Sequence, residues 1–293
     1  MTHLIRDNIN DDYGILKLQD KILDIMVYID QICKEHEITY YLMGGSALGA
    51  MRHGGFIPWD DDLDIFMTYD NYVKFLNCCD KYLDKEKFYL QKEDTYENPY
   101  YFSKLRMNGT TCINDVFNIG HQGIFVDIMC LNKAPKSTLR KKIQYYSAGL
   151  LKARAISKTK YKATSKMKKI QLFISKVFVR GFIKSLLLHN VRKYNKKSSL
   201  EYAHVFGRAK FSNSFYPAKD FEEGRAVPFE KVELIVPKNV EDYLTIRYGE
   251  KYMQMPDEKT KALYQTHAMI WDTEKNYTEY LKEEPTISRK YLY

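Results

Sequence analysis

The chain reads as a fold that mixes helices and strands, of the α/β or α+β class, on three observations. Its leading segment carries apolar residues at helical spacing, two later apolar runs of strand length each hold an acid, and a long basic stretch with helical periodicity follows. The 293 residues suffice for one large domain, or for a core with one addition. With 45% hydrophobic and 28% charged residues and no low-complexity tract, the composition is of the ordered, globular kind.

In chain order, Ile15, Leu18, Ile22, Ile25, Met26, Ile29, Ile32 and Cys33 predict a helix over about residues 13–37, with Asp11 and Asp12 as candidate caps. Residues 39–43 are aromatic and apolar and predict a strand that stops at Gly44-Gly45. A helix is expected to begin at Ser46, and the Gly and Pro content of residues 53–59 marks a loop. Residues 63–67 predict a strand, 69–81 a helix, and 123–129 a second, strongly apolar strand. Toward the end, residues 232–236 predict a strand and 240–248 a helix. This divides the chain into a core at 1–132, a basic helical insertion at 133–200, and a part at 201–293 that completes the core.

The formal net charge of +9 conceals an asymmetry. Residues 128–200 contain no Asp or Glu but 20 of the 46 Lys and Arg residues, so the remainder of the chain is acidic, with 37 acidic residues against 26 basic. Such a stretch attracts polyanions or an anionic membrane surface. An amphipathic basic helix suits the interface of a membrane, and a helix covering the sheet with its lysines in water is the plain alternative. Nucleic acid is not expected, because no recognition motif accompanies the charge. Neither a secretory leader nor a membrane-spanning run is expected. Cys33, Cys78, Cys79, Cys112 and Cys130 lack metal-ligand spacing, which predicts reduced thiols and a cytoplasmic setting.

The chemistry is concentrated in residues 44–66, GGSALGAMRHGGFIPWDDDLDIF. A strand alternates faces, so Asp62 and Asp64 point the same way, and two like charges side by side call for a cation. Mg²⁺ suits one or two carboxylates completed by water and phosphate, with Mn²⁺ as the alternative ion. Asp127 is an acid in an otherwise apolar strand, and three carboxylates converge if that strand neighbours the one bearing Asp64. The turn at Gly44, Gly45 and Ser46, at a strand end and a helix start, offers backbone N–H groups to a phosphate.

This run closely resembles the signature of the LicD family, GG[ST]xLGxxRHxGFIPWDDDxDI. The resemblance extends to Ile32–His36, Tyr101–Arg106 with Gly109-Thr110, Val126–Ile128, Phe229-Glu230, Val236-Pro237, Tyr248-Gly249 and Met255-Pro256, ahead of His267. It implies an α+β fold, a nucleotidyltransferase-like mixed sheet flanked by helices, with the basic segment as an insertion. It also implies Mg²⁺-dependent transfer of phosphocholine from CDP-choline, or of a related CDP-linked group, to a glycan. The acceptor would be a cell-surface glycan or a teichoic-acid or polysaccharide precursor, met as a lipid-linked glycan at the inner face of the plasma membrane. Asp62, Asp64 and Asp127 would then be catalytic and metal-binding. Gly44, Gly45 and Ser46 would hold donor phosphate, with Lys104 and Arg106 as charge partners, Arg52 and His53 fixing the loop, and Trp59 either stacking on the donor or anchoring the loop. Two rivals share these residues: a nucleotidyltransferase adding NMP from an NTP to a small molecule, and a non-catalytic glycan-binding scaffold.

Overall fold

A computed structural model describes residues 11–114, 120–159, 161, 163, 165–261 and 268–282; His267 lies outside these. The architecture is α+β, a curled mixed sheet with helices packed against it. Helix α1 (Leu16–Glu35) starts where the Asp11 carboxylate accepts from the Ile15 and Leu16 amides at 2.9 and 3.2 Å. Its apolar stripe, Leu18, Ile22, Ile25, Met26 and Ile29, is fully buried, and each such side chain contributes about 1.5–3 kcal/mol.

The main sheet has the order β1-β2-β6-β4-β3. Its strands are β1 (Tyr41–Leu42), β2 (Asp64–Thr68), β3 (Phe88–Gln91), β4 (Ser103–Met107) and, after the short β5 (Thr111–Ile113), β6 (Phe125–Lys133). The β2–β6 contact is parallel, and the others along this path are antiparallel. Strand β1 is shorter than the run expected at 39–43, because Gly44 takes a left-handed φ of 54° and turns the chain into α2 (Gly44–His53). Helix α2 in turn stops at Gly54, also left-handed, whose amide bonds to the Ala50 carbonyl. Helix α3 (Tyr69–Tyr82) follows β2 and buries Tyr72, Phe75 and Cys79.

Strand β6 runs past the expected end at 129 because its last residues gain a further neighbour. Asn132 and Lys133 pair with β7 (Glu201–Ala203), which pairs with β8 (Phe215–Pro217). The intervening chain forms α4 (Thr138–Ile156), α5 (Lys166–Phe178) and α6 (Gly181–Arg192), so the basic stretch leaves and rejoins the sheet at one place. It has a small core of its own, including Ala148, Leu151, Ala155, Val179 and Val191. Two ion pairs tie it to the loop before β4: Lys184 with Asp94, and Arg192 with Glu93. The chain returns through the hairpin β9 (Arg225–Phe229) and β10 (Val232–Val236), α7 (Val240–Tyr248), and β11 (Ile270–Asp272), which pairs with β5. All five cysteines are free thiols. No helix among the described residues is long and apolar enough to cross a membrane.

Candidate active site

The two strands that carry acids are direct neighbours, and Asp64 and Asp127 are register partners. Because the pairing is parallel and in register, both side chains project from the same face, about 5 Å apart at the backbone. The row continues across the sheet, with Lys104 opposite Asp127 and Gln91 opposite Lys104. Lys104 forms an ion pair with Asp127, and its ammonium lies 3.7 Å from the centre of the Phe125 ring. Burial pulls the Lys104 pKa below its ordinary value, against the attraction of Asp127.

Asp64 carries the strongest sign of an unmet demand. Its Oδ1 is shut off from solvent and has no hydrogen-bond partner. Burial raises its pKa well above the ordinary carboxylate range, and the Asp62 and Asp127 charges add to the rise; Lys104 and Arg208 oppose it. Asp60 was not among the expected site residues, yet it belongs to the same cluster. Burial, then Asp62 and Asp64, raise its pKa strongly, and it hydrogen-bonds to Asp62. In extended chain, Asp60, Asp62 and Asp64 stand two apart and share a side, a signal already present in the spacing. Asp61, on the other side, instead accepts from the Ala268 amide at 2.6 Å and fastens the C-terminal segment.

The left-handed φ of Gly44 and the close approach of Asp60 to Gly45 both suit glycine at this turn. A Cβ on Gly45 would lie 2.5 Å from Asp60 Oδ2, and one on Gly44 would lie 3.7 Å from the Tyr248 hydroxyl and 3.9 Å from Asp64 Oδ2. The turn and the carboxylates are therefore in van der Waals contact, as a site that brackets a phosphate between amides and a cation requires. Ser46 is buried, and its Oγ accepts from the Asp64 amide at 2.9 Å, so it positions β2. The Gly44 amide likewise donates to the Tyr243 hydroxyl at 2.8 Å.

Several other expected donor contacts turn inward. Arg106 is buried beside the row on the same face of β4 and donates to Gln91 Oε1 and the Gly123 carbonyl at 2.8 and 2.7 Å; burial lowers its pKa to about 10. Arg52 is buried too, donating to His53 Nε2 at 3.0 Å and to the Tyr252 and Gln254 carbonyls, each at 3.2 Å. Trp59 packs between Tyr13 and His53, with Lys261 5.2 Å from its ring centre, which is a loop-anchoring position. Glu230 clasps the same loop: its amide donates to the Gly54 carbonyl at 2.7 Å and its carboxylate accepts from the Phe56 amide at 3.0 Å. Gln19 on α1 holds the far end through the Asp60 carbonyl at 2.7 Å. Arg208, in a loop 144 residues away in sequence, and Tyr248, the last residue of α7, also sense the Asp64 charge; Tyr248 lies in a run that the resemblance includes, whereas Arg208 had no local signal.

The donor set is all oxygen, and the orphaned Asp64 Oδ1 is of the kind that would suit a hard cation taking one or two carboxylates. Among the described residues no three His, Cys, Asp or Glu side chains already close on one point. The three acids expected to converge are thus divided, Asp62 and Asp64 on one side and a lysine-paired Asp127 on the other.

Residues 37–119 match a family model described as LicD/FKTN/FKRP, nucleotidyltransferase domain. The lipopolysaccharide cholinephosphotransferase LicD of Haemophilus influenzae is 47% identical over 55 residues, 19% of this chain and 21% of that protein. An uncharacterized protein of Rickettsia prowazekii is 27% identical over 118 residues, 39% of this chain and 40% of its own length. Human ribitol 5-phosphate transferase FKRP is 47% identical over 38 residues, 13% of this chain and 8% of that protein. The chain thus spans about a fifth of the length of the Haemophilus protein and less than half of the Rickettsia one.

Proposed function

The chain carries a nucleotidyltransferase domain of the LicD family, and on that premise we propose that it transfers a phospho-substituent from a CDP-linked donor to a glycan hydroxyl. CDP-choline is the first candidate donor, since one similar protein is a cholinephosphotransferase; the ribitol 5-phosphate transferase makes a polyol phosphate the second. The observation that carries the reading is the closeness of the Gly44-Gly45 turn to Asp60 and Asp64, with Asp127 level with Asp64 on the neighbouring strand. A scaffold that only binds glycan has no use for buried carboxylates that repel one another.

In this reading Asp62 and Asp64 hold Mg²⁺ or Mn²⁺, which supplies neutralisation of the donor's phosphate charge when bound. The start of α2 at Gly44 and Gly45 would lie toward the donor's phosphates, beside the Asp60 and Asp64 carboxylates. Lys104 adds positive charge from the far side of Asp127 and holds that carboxylate in place. Asp127 orients the acceptor hydroxyl and takes its proton as the oxygen attacks the phosphorus bearing the head group. The bond to CMP breaks, and CMP leaves.

The test is CMP release from CDP-choline, CDP-ethanolamine and CDP-polyols with Mg²⁺ and a crude glycolipid acceptor. One donor is expected to give CMP, and Asp64→Asn is expected to lower the rate by about 10²–10³-fold, the usual cost of removing a charge-stabilising group. Pyrophosphate release from an NTP, with no CMP from any CDP-linked donor, would assign the chain to nucleotidyl transfer instead.

A further inference from the structure

Helix α5 is amphipathic, yet its apolar side does not face the protein. Its only buried residue is Ser175, while Met167, Ile170, Phe173, Ile174, Val177 and Phe178 are all exposed. At helical geometry these six fall within an arc of about 140°, the width of a face made to be covered. The exposed surface continues beyond the turn at Val179 onto the first turns of α6, with Phe182, Ile183 and Leu186. Phe173 and Phe182, 66% and 79% exposed, are far more open than aromatic side chains normally stand on a water-facing helix.

The charge around this face decides what covers it. Lys169, Lys176 and Arg180 flank the apolar arc, all exposed. No acidic residue occurs between Asp127 and Glu201, so 20 basic side chains have no counter-charge within their own segment. A cavity of about 290 Å³ lies beside the ridge, where Arg154, Lys158, Arg180 and Lys184 converge with Asp94 as the single acid among its lining residues. Crowding by Arg154 and Lys184 helps burial lower the Lys158 pKa, the mark of a locally positive site. Contact of this face with the same face of a second copy would bring like charges together. An anionic bilayer supplies both an apolar interior and a negative surface.

We propose that α5 and the start of α6 form a membrane-docking face, with the Phe173, Phe178 and Phe182 rings in the acyl boundary and the flanking cations on anionic headgroups. The inference goes beyond the transferase reading and does not depend on it, since vesicle binding is measured with neither donor nor acceptor. It gives the basic stretch a purpose apart from the sheet: attached at the end of β6, the face would hold the catalytic core against the surface.

The full chain is to be sedimented with phosphatidylcholine vesicles, with and without phosphatidylglycerol, at low and high salt. Binding is expected only with phosphatidylglycerol and should weaken as salt rises. Lys169→Gln/Lys176→Gln/Arg180→Gln should weaken it on the order of a hundredfold, from about fivefold per charge. Phe173→Ser/Phe178→Ser/Phe182→Ser should reduce it about tenfold or more while leaving thermal unfolding unchanged, because these side chains are exposed. In Phe173→Trp, emission should shift to the blue on anionic vesicles and be quenched by brominated acyl chains. Absence of binding to anionic vesicles at low salt overturns the proposal. So does binding that the triple Phe variant leaves intact, which would be surface adsorption only. A dimer lost in the triple Phe variant, with no vesicle binding, would assign the face to a second copy.

Discussion

Replacing Lys104 with Met tests whether the acidic row is held together by one internal cation. The Lys104 and Asp127 side chains are each only 12% exposed, so their pair belongs with buried ion pairs rather than surface ones. The substitution keeps the aliphatic length against the Phe125 ring and removes the charge. It leaves Asp127 facing its register partner Asp64. Were both ionised at the backbone spacing of about 5 Å, they would repel by roughly 3 kcal/mol at an effective dielectric of about 20, an upper bound because burial already raises the Asp64 pKa. Stranding one member of a buried pair costs about 3–5 kcal/mol in general, a range that already includes repulsion of this kind. The expected loss is therefore about 3–5 kcal/mol in urea unfolding, or roughly 6–20 °C in Tm at about 2–4 °C per kcal/mol. Lys104→Met/Asp127→Asn should recover most of it, because the stranded charge is gone. Millimolar Mg²⁺ should stabilise Lys104→Met more than the parent if the carboxylates take a cation. A loss below about 1 kcal/mol, or a double variant as unstable as the single, would refute the view that Lys104 neutralises this row.

Two further outcomes are expected. Glu230→Ala removes a charged acceptor from the Phe56 amide and should cost about 1.5–3 kcal/mol, with faster amide exchange confined to residues 54–60; unchanged exchange there would mean that Glu230 does not hold the loop. Burial lowers the pKa of His121 to about 4 and of His204 to about 3, so both are neutral in the fold and protonate more readily when unfolded. Their contribution to stability is complete above the unfolded pKa of about 6.5 and is lost as pH falls from there toward about 4. Asp60 and Asp64 act in the opposite sense, so the effect is read as the difference between the parent and His204→Phe in Tm from pH 7 to 5, which should narrow as pH falls. A difference independent of pH would refute the neutral assignment of His204.

The chemistry of the site was legible where it depends on neighbours in sequence. The period of two in an extended strand aligns Asp62 with Asp64, and the same rule, carried one step further, includes Asp60. Helical spacing located α1, α3 and α7 to within a few residues, because amphipathic stripes are local patterns. The charge asymmetry of residues 128–200 is also a property of sequence alone. What covers what is not. That β2 and β6 are adjacent and parallel, with Asp64 level with Asp127, depends on the sheet order, which no local pattern encodes. The resemblance implied that Arg106 is a charge partner of the donor and that Arg52 fixes the loop. Only the packing shows that their hydrogen bonds go to Gln91, Gly123, Tyr252 and Gln254. The periodicity of α5 left a membrane interface and a sheet-covering position both open; tertiary structure turns its apolar side outward, since α5 contributes just Ser175 to the interior. Residue type and spacing thus determined which groups this protein has for chemistry, through local backbone geometry. Tertiary packing decided which of them meet, because burial and pairing are set by residues from 15 to 202 positions away.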